Sequence, residues 1–223
     1  MNIINNDTFN FLKDLKNNNN REWFNSNKDR YLQIRESIKF FSNLIRDELN
    51  KFDEIDNVKI FRIYRDIRFS NDKTPYKKNF GISFHRKKPK LRGGYYIHIE
   101  DNKTFIACGF WNPNKEDLKR IRKEFQIDSK EFRDIINNKN FKKVWGDLKG
   151  EELVSSPMGF SKDDPNIDLI KKKMYLFSIN FSNSDVLKNN FSNKITSSFK
   201  EISPFFNYMS YVLTTDLNGE SII

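Results

Sequence analysis

Cysteine occurs once in 223 residues, at Cys108, so the chain can form neither an intrachain disulfide nor a thiolate metal cluster. No apolar run approaches the length of a membrane span. The opening residues, Met-Asn-Ile-Ile-Asn-Asn-Asp, lack a basic segment followed by a long apolar one, which argues against a signal peptide. These absences lead us to expect a cytoplasmic protein with no membrane partner. Familiar catalytic fingerprints are missing as well. There is no Gly-rich phosphate loop, no Gly-x-Ser-x-Gly elbow and no His-Glu-x-x-His. That counts against the well-known hydrolase and nucleotide-binding families.

What the chain does contain is enough apolar material for a full core. Its hydrophobic fraction of 37% and its 22 Phe residues argue against global disorder. No internal repeat or long linker divides it, so one domain over residues 1–223 is expected. The formal net charge of +10 suits a polyanionic partner, but Lys, Asn and Ile are abundant throughout, which discounts single occurrences of each. A site must be argued from where the arginines sit.

The first 55 residues read as helical. Asp7 or Thr8 caps a short helix carrying Phe11, Leu12 and Leu15. Asn19 and Glu22 fit a capping box for a second helix of about 30 residues, whose apolar stripe runs from Phe24 to Leu49. Period-two patterning then takes over in the 58–111 region. Strands are expected at 60–69, 80–85, 95–100 and 104–111, with another at 174–181. Asp101 and Asn102 make a hairpin turn, and 86–92 forms a basic loop between strands. Helices follow over 113–145, opened by Asn112-Pro113 and by Asp128 with Glu131, and again after 174 up to residue 216 from Ser184 and from Ser203-Pro204. The fold class expected is α+β, with a mainly antiparallel central sheet packed by N-terminal, middle and C-terminal helices.

The segment 62–78, Arg-Ile-Tyr-Arg-Asp-Ile-Arg-Phe-Ser-Asn-Asp-Lys-Thr-Pro-Tyr-Lys-Lys, concentrates the chemistry. Six basic residues (Arg62, Arg65, Arg68, Lys73, Lys77, Lys78) stand against Asp66 and Asp72. Guanidiniums crowded beside an apolar Phe69 need partners, either the protein's own carboxylates or an anionic ligand. As a strand, 60–69 would set Arg62, Tyr64, Asp66 and Arg68 on one face, beside Tyr96, His98 and Glu100 of a hairpin neighbour.

The expectation is an anion pocket for phosphate, a nucleotide or nucleic acid. In it Arg62, Arg65 and Arg68 clamp, Lys73 and Lys77 attract, Tyr64 and Tyr76 donate hydrogen bonds, and Asp72 lies at the rim. Asp66 and His98 are the candidate catalytic groups, for phosphoester chemistry. The alternative is a non-catalytic protein or nucleic-acid interaction module in which the motif is a structural Arg–Asp network. A third possibility is a nuclease, although Asp66, Asp72 and Glu100 have no metal-ligand spacing and no metal is expected. No cofactor is identified.

Several of these stretches carry a family resemblance. They are Asn-Arg-Glu-Trp-Phe at 20–24, the long motif at 62–77, Gly-Gly-Tyr-Tyr-Ile-His-Ile-Glu at 93–100, Gly-Phe-Trp-Asn-Pro at 109–113, Ile121-Arg122 and Ser-Pro-Met-Gly-Phe at 156–160. In them, and in their order, the chain resembles the bacterial proteins grouped as domain of unknown function 2461. Met158 departs from the pattern, where a basic residue is usual. The resemblance implies one domain of about this length and brings no assigned activity or cofactor to particular residues.

Overall fold

Asn5 opens the first helix, because its side-chain oxygen accepts the backbone N–H of Thr8 and satisfies one of the donors a helix start leaves unpaired. Helix α1 (Asn6–Asn17) follows and buries Phe9, Phe11, Leu12 and Leu15. The cap therefore falls just before Asp7. The structure, a computed structural model, describes residues 3–223.

The stripe from Phe24 to Leu49 belongs to two helices rather than one, α2 (Arg21–Ser26) and α3 (Lys28–Leu49). Asn27 separates them, with φ −111 and ψ 17, and its side-chain amide donates to the Trp23 carbonyl. A short polar side chain that competes for backbone groups interrupts the helix here. Asn20, not Asn19, is the N-cap, accepting from the Trp23 N–H at 2.9 Å.

Strands β1 (Ile55–Ile60), β2 (Phe80–Arg86), β3 (Gly94–Ile99), β4 (Thr104–Phe110) and β5 (Tyr175–Phe181) form one antiparallel sheet in chain order. The β3–β4 hairpin turns at Asn102, which takes φ 58 as the sequence predicts. Helices α4 (Lys115–Ile127), α5 (Lys130–Asn137), α6 (Lys139–Trp145) and α7 (Ile167–Ile170) separate β4 from β5. After β5 come α8 (Asn183–Val186), α9 (Phe191–Glu201) and α10 (Ser203–Thr214). The architecture is α+β. Helix starts differ by a residue or two from expectation: Asn114 caps α4 in place of Asn112, and Ser182, with Asp185, caps α8 in place of Ser184.

The expected strand over 60–69 does not form. Strand β1 ends at Ile60, and beyond it the two legs of the β1–β2 connection pair in strand fashion at an isolated bridge between Tyr64 and Tyr76. Two features stop the ladder. Pro75 has no N–H to contribute, and Asp66 and Asp72 each accept the backbone N–H two residues on, at Arg68 and Thr74. The apolar members of the motif accordingly scatter: Ile63 is buried, whereas Phe69 is 95% exposed. The basic loop is also shorter than expected. Arg86 lies inside β2, is buried over the Phe206 ring and donates to the Arg92 carbonyl.

The chain divides into two compact units. One comprises the chain up to Phe84 with Tyr96–Ile106 and Asn180–Ser197. Its core holds Phe11, Leu15, Phe24, Ile38, Ile45, Ile63, Phe80, Ile82, Ile97 and Ile106. The other comprises His85–Tyr95, Ala107–Ile179 and Ser198–Ile223. It is built on aromatic side chains, with Phe205 in ring contact with Phe110, Phe132, Phe177 and Phe206. Arg122, from the Ile121-Arg122 pair, donates to the carbonyls of Ile170 and Lys172 just past α7. Its role there is to satisfy carbonyls at a helix end.

Candidate functional site

The 62–78 motif is an ordered excursion from the sheet, and its side chains explain why it is ordered. Asn19 closes one end: its amide donates to the Tyr76 carbonyl and accepts the Tyr76 N–H, both at 3.0 Å, as a neighbouring strand would. The Tyr76 ring stacks on Phe24 at 4.0 Å, and Tyr64 packs against both. The motif at 20–24 thus serves as a base for the central one.

Arg65 ties the loop internally. Its guanidinium donates to Asp72, to the Thr74 hydroxyl and carbonyl, and to the Ser70 hydroxyl. Arg68 forms a two-pronged pair with Asp66, at 3.0 and 2.6 Å, on the exposed tip. Lys73 donates to the Ile67 carbonyl. Arg62 is different: among the described residues it has no ion pair, and it lies exposed where the loop leaves β1.

The Asp72 carboxylate is held down to about 2 by the Thr74 backbone N–H, then by the Thr74 hydroxyl and Arg65. A carboxylate made more acidic by folding contributes stability that is complete above its ordinary value of 3.8 and disappears as pH falls through 2. Replacing Asp72 with Asn is therefore expected to flatten the acid limb of unfolding between about pH 4 and about pH 2. Urea titrations at several pH values check this, and an unchanged acid limb refutes it.

Beside the loop's root, the less buried face of the sheet carries a second group of polar side chains. In β3, Tyr95, Ile97 and Ile99 point into the core, so Tyr96, His98 and Glu100 alternate to the other face. His98 stacks on Phe105 of β4 at 4.7 Å and 14°. Its Nε2 lies 2.8 Å from a Glu100 carboxylate oxygen. Its Nδ1 lies 3.3 Å from both the Tyr96 hydroxyl and the Asn79 amide. Burial pushes the Tyr96 phenol above its usual range. Gly81 of β2 makes room for this phenol, because a Cβ there would stand 2.6 Å from its oxygen.

Phe61 adjoins Tyr96 edge-on, ring centres 6.2 Å apart. The ammoniums of Lys59 and Lys77 both lie over Phe61, at 5.1 and 5.4 Å from its centre. The Lys77 ammonium is depressed by burial first, then by the positive charges of Arg62 and Lys59. Among the described residues none of these three cations has an ion pair. Lys59 and Asn79 were not among the residues expected at a site. Lys59 is one lysine in a lysine-rich chain, and nothing in its spacing distinguishes it.

Of the residues the sequence singles out, the structure thus sets Lys77 over Phe61, which adjoins Tyr96 and through it His98, and brings the Arg62 charge close enough to act on Lys77. It sets Asp66, Arg68, Asp72 and Lys73 out on the loop tip, and turns Tyr64 and Tyr76 onto Phe24. Among the described residues no cluster of His, Cys, Asp and Glu could hold a metal ion. No helix among them is long and apolar enough to cross a membrane. A depression of about 570 Å³ in the other unit is lined by Asp128, Glu131, Asp134 and Glu201 and includes no residue of the motif.

Among the described residues a five-stranded antiparallel sheet with ten helices, and a long β1–β2 excursion anchored on α2, define the class of protein. The chain belongs to the family described as conserved hypothetical protein (DUF2461), which residues 7–208 match. No curated protein and no solved structure matches it.

Proposed function

We propose that the protein binds a phosphate-like anion between Lys59, Arg62 and Lys77, on the sheet face that carries Tyr96. The observation behind this is the pair of ammoniums over Phe61, with the Arg62 charge close enough to depress Lys77 and none of the three in an ion pair among the described residues. Like charges held together raise the energy of the empty protein, and a bound anion relieves that repulsion. Arg65 and Arg68 stay engaged with Asp72 and Asp66 and shape the loop rather than the contact. Should the anion be a phosphoester that reacts, His98, oriented by Glu100, is the group placed for acid–base work, since Asp66 is committed to Arg68.

Calorimetric titration with inorganic phosphate and sulfate tests the site. Arg62→Ala and Lys77→Ala are each expected to weaken binding by about 1.5–3 kcal/mol, the range for hydrogen bonds to charged groups. The unliganded variants should melt no lower than the parent, because each removes a repelling charge. Failure of phosphate, sulfate and nucleotides all to bind overturns the proposal.

One observation favours the interaction-module alternative. Phe69 is almost fully exposed on a loop that Arg65 and Asn19 hold in shape, an arrangement suited to docking on a protein. Capture of a partner that Phe69→Ser abolishes, with no anion bound, would favour that alternative.

A further inference from the structure

We infer that Tyr96, His98 and Glu100 form a proton-responsive arm of the anion site, which makes it selective for a dianionic oxyanion such as a phosphate monoester. The inference rests on the anion-binding reading above and specifies what that site takes.

The hydrogen bonding of His98 carries it. A carboxylate has no proton to give, so Glu100 must accept from His98 Nε2–H at 2.8 Å. In the neutral imidazole, Nδ1 is then only an acceptor. Two donors face that single lone pair, the Tyr96 hydroxyl and the Asn79 amide, each at 3.3 Å. When Tyr96 is the donor that fills it, the phenol proton points back to the histidine and away from any ligand.

Protonation of Nδ1 reverses this arrangement. The imidazolium donates to the Tyr96 oxygen, or to Asn79 once its amide turns to present oxygen. The phenol proton is released and can point toward an anion held by Lys59, Arg62 and Lys77. Glu100 balances the imidazolium, so the new charge is supported within the cluster. The groups facing His98 are Tyr96 and Glu100 from its own strand, Asn79 ahead of β2, and Phe105 from β4; the nearby cations are those around Phe61.

Anion binding should therefore take up a proton at His98, because a negative charge beside the phenol stabilises the state in which Nδ1 donates. The number of cations sets the ligand class. Three positive charges, none of them in an ion pair among the described residues, match a dianion better than the single charge of a phosphodiester. A terminal phosphate is favoured over a nucleic-acid backbone.

Sulfate is the probe of choice, since it carries no titrating proton near neutrality and any proton uptake belongs to the protein. Titrations in Tris and in PIPES, whose ionisation heats differ widely, give the number of protons taken up. The parent protein is expected to take up a measurable fraction of one proton per sulfate, and to bind more tightly at about pH 6 than at about pH 8. His98→Gln should take up none and lose the pH dependence while still binding. Tyr96→Phe, which keeps its ring against Phe61 and Phe105, should bind sulfate several-fold more weakly and take up less. Methyl phosphate should bind at least about tenfold more tightly than dimethyl phosphate.

Sulfate binding without proton uptake, or equal affinity for the two methyl esters, overturns the inference and leaves the anion site standing. No binding of any anion overturns both.

Discussion

Gly109→Ala is expected to remove more than about 4 kcal/mol of stability, enough to leave little folded protein. Gly109 sits in β4 with φ +134, a backbone conformation that side chains with a Cβ rarely adopt. Space is the greater obstacle. A Cβ at this position would stand 2.1 Å from the Tyr175 carbonyl oxygen and 3.1 Å from the Leu176 Cα. Both belong to the backbone of β5, so no side chain can swing aside. Gly146 provides a control, having φ +68 with open space around it, so its alanine variant should cost much less. Soluble yield and urea denaturation of the two variants decide the matter. A Gly109→Ala protein as stable as its Gly146→Ala counterpart would refute the steric account.

Phe24→Ala is expected to cost about 3–5 kcal/mol, the usual range for deleting a buried phenyl ring. Phe24 is 1% exposed and touches Tyr31, Tyr64 and Tyr76. The loss should also reach the anion site. Tyr76 is stacked on this ring and immediately precedes Lys77, so a cavity under Tyr76 frees the loop's root to shift. Sulfate affinity should fall in the folded variant even though Phe24 itself packs on tyrosines. A Phe24→Ala protein that keeps full sulfate affinity would separate the loop's anchorage from the site.

The resemblance and the structure agree on which stretches matter, but not always on why. Gly109, in one of the stretches that carry the resemblance, is needed because the backbone of the next strand lies against it. Arg65 and Arg68 stood out as clamps, and each is closed onto a carboxylate of the same loop. That pairing was available in the sequence, since Asp66 and Asp72 lie within seven residues of their partners. Nothing in the order of residues, however, said whether the segment was a strand, which would hold Asp66 and Arg68 in a fixed row, or a loop, which lets them fold onto one another.

Periodicity within a stretch of chain was enough to identify helices, most strands, the Asn102 turn and the α+β class, because those depend on contacts between near neighbours in sequence. Folding in three dimensions decided the rest. It set Lys59 of β1 and Lys77 of the β1–β2 connection over one phenyl ring, and brought Asn79, just ahead of β2, to His98 of β3. It also put Asn19 against Tyr76, 57 positions away. Charges accumulate, and a carboxylate–imidazole–phenol row gains its neighbours, only when distant segments pack side by side, and local spacing carries no record of that.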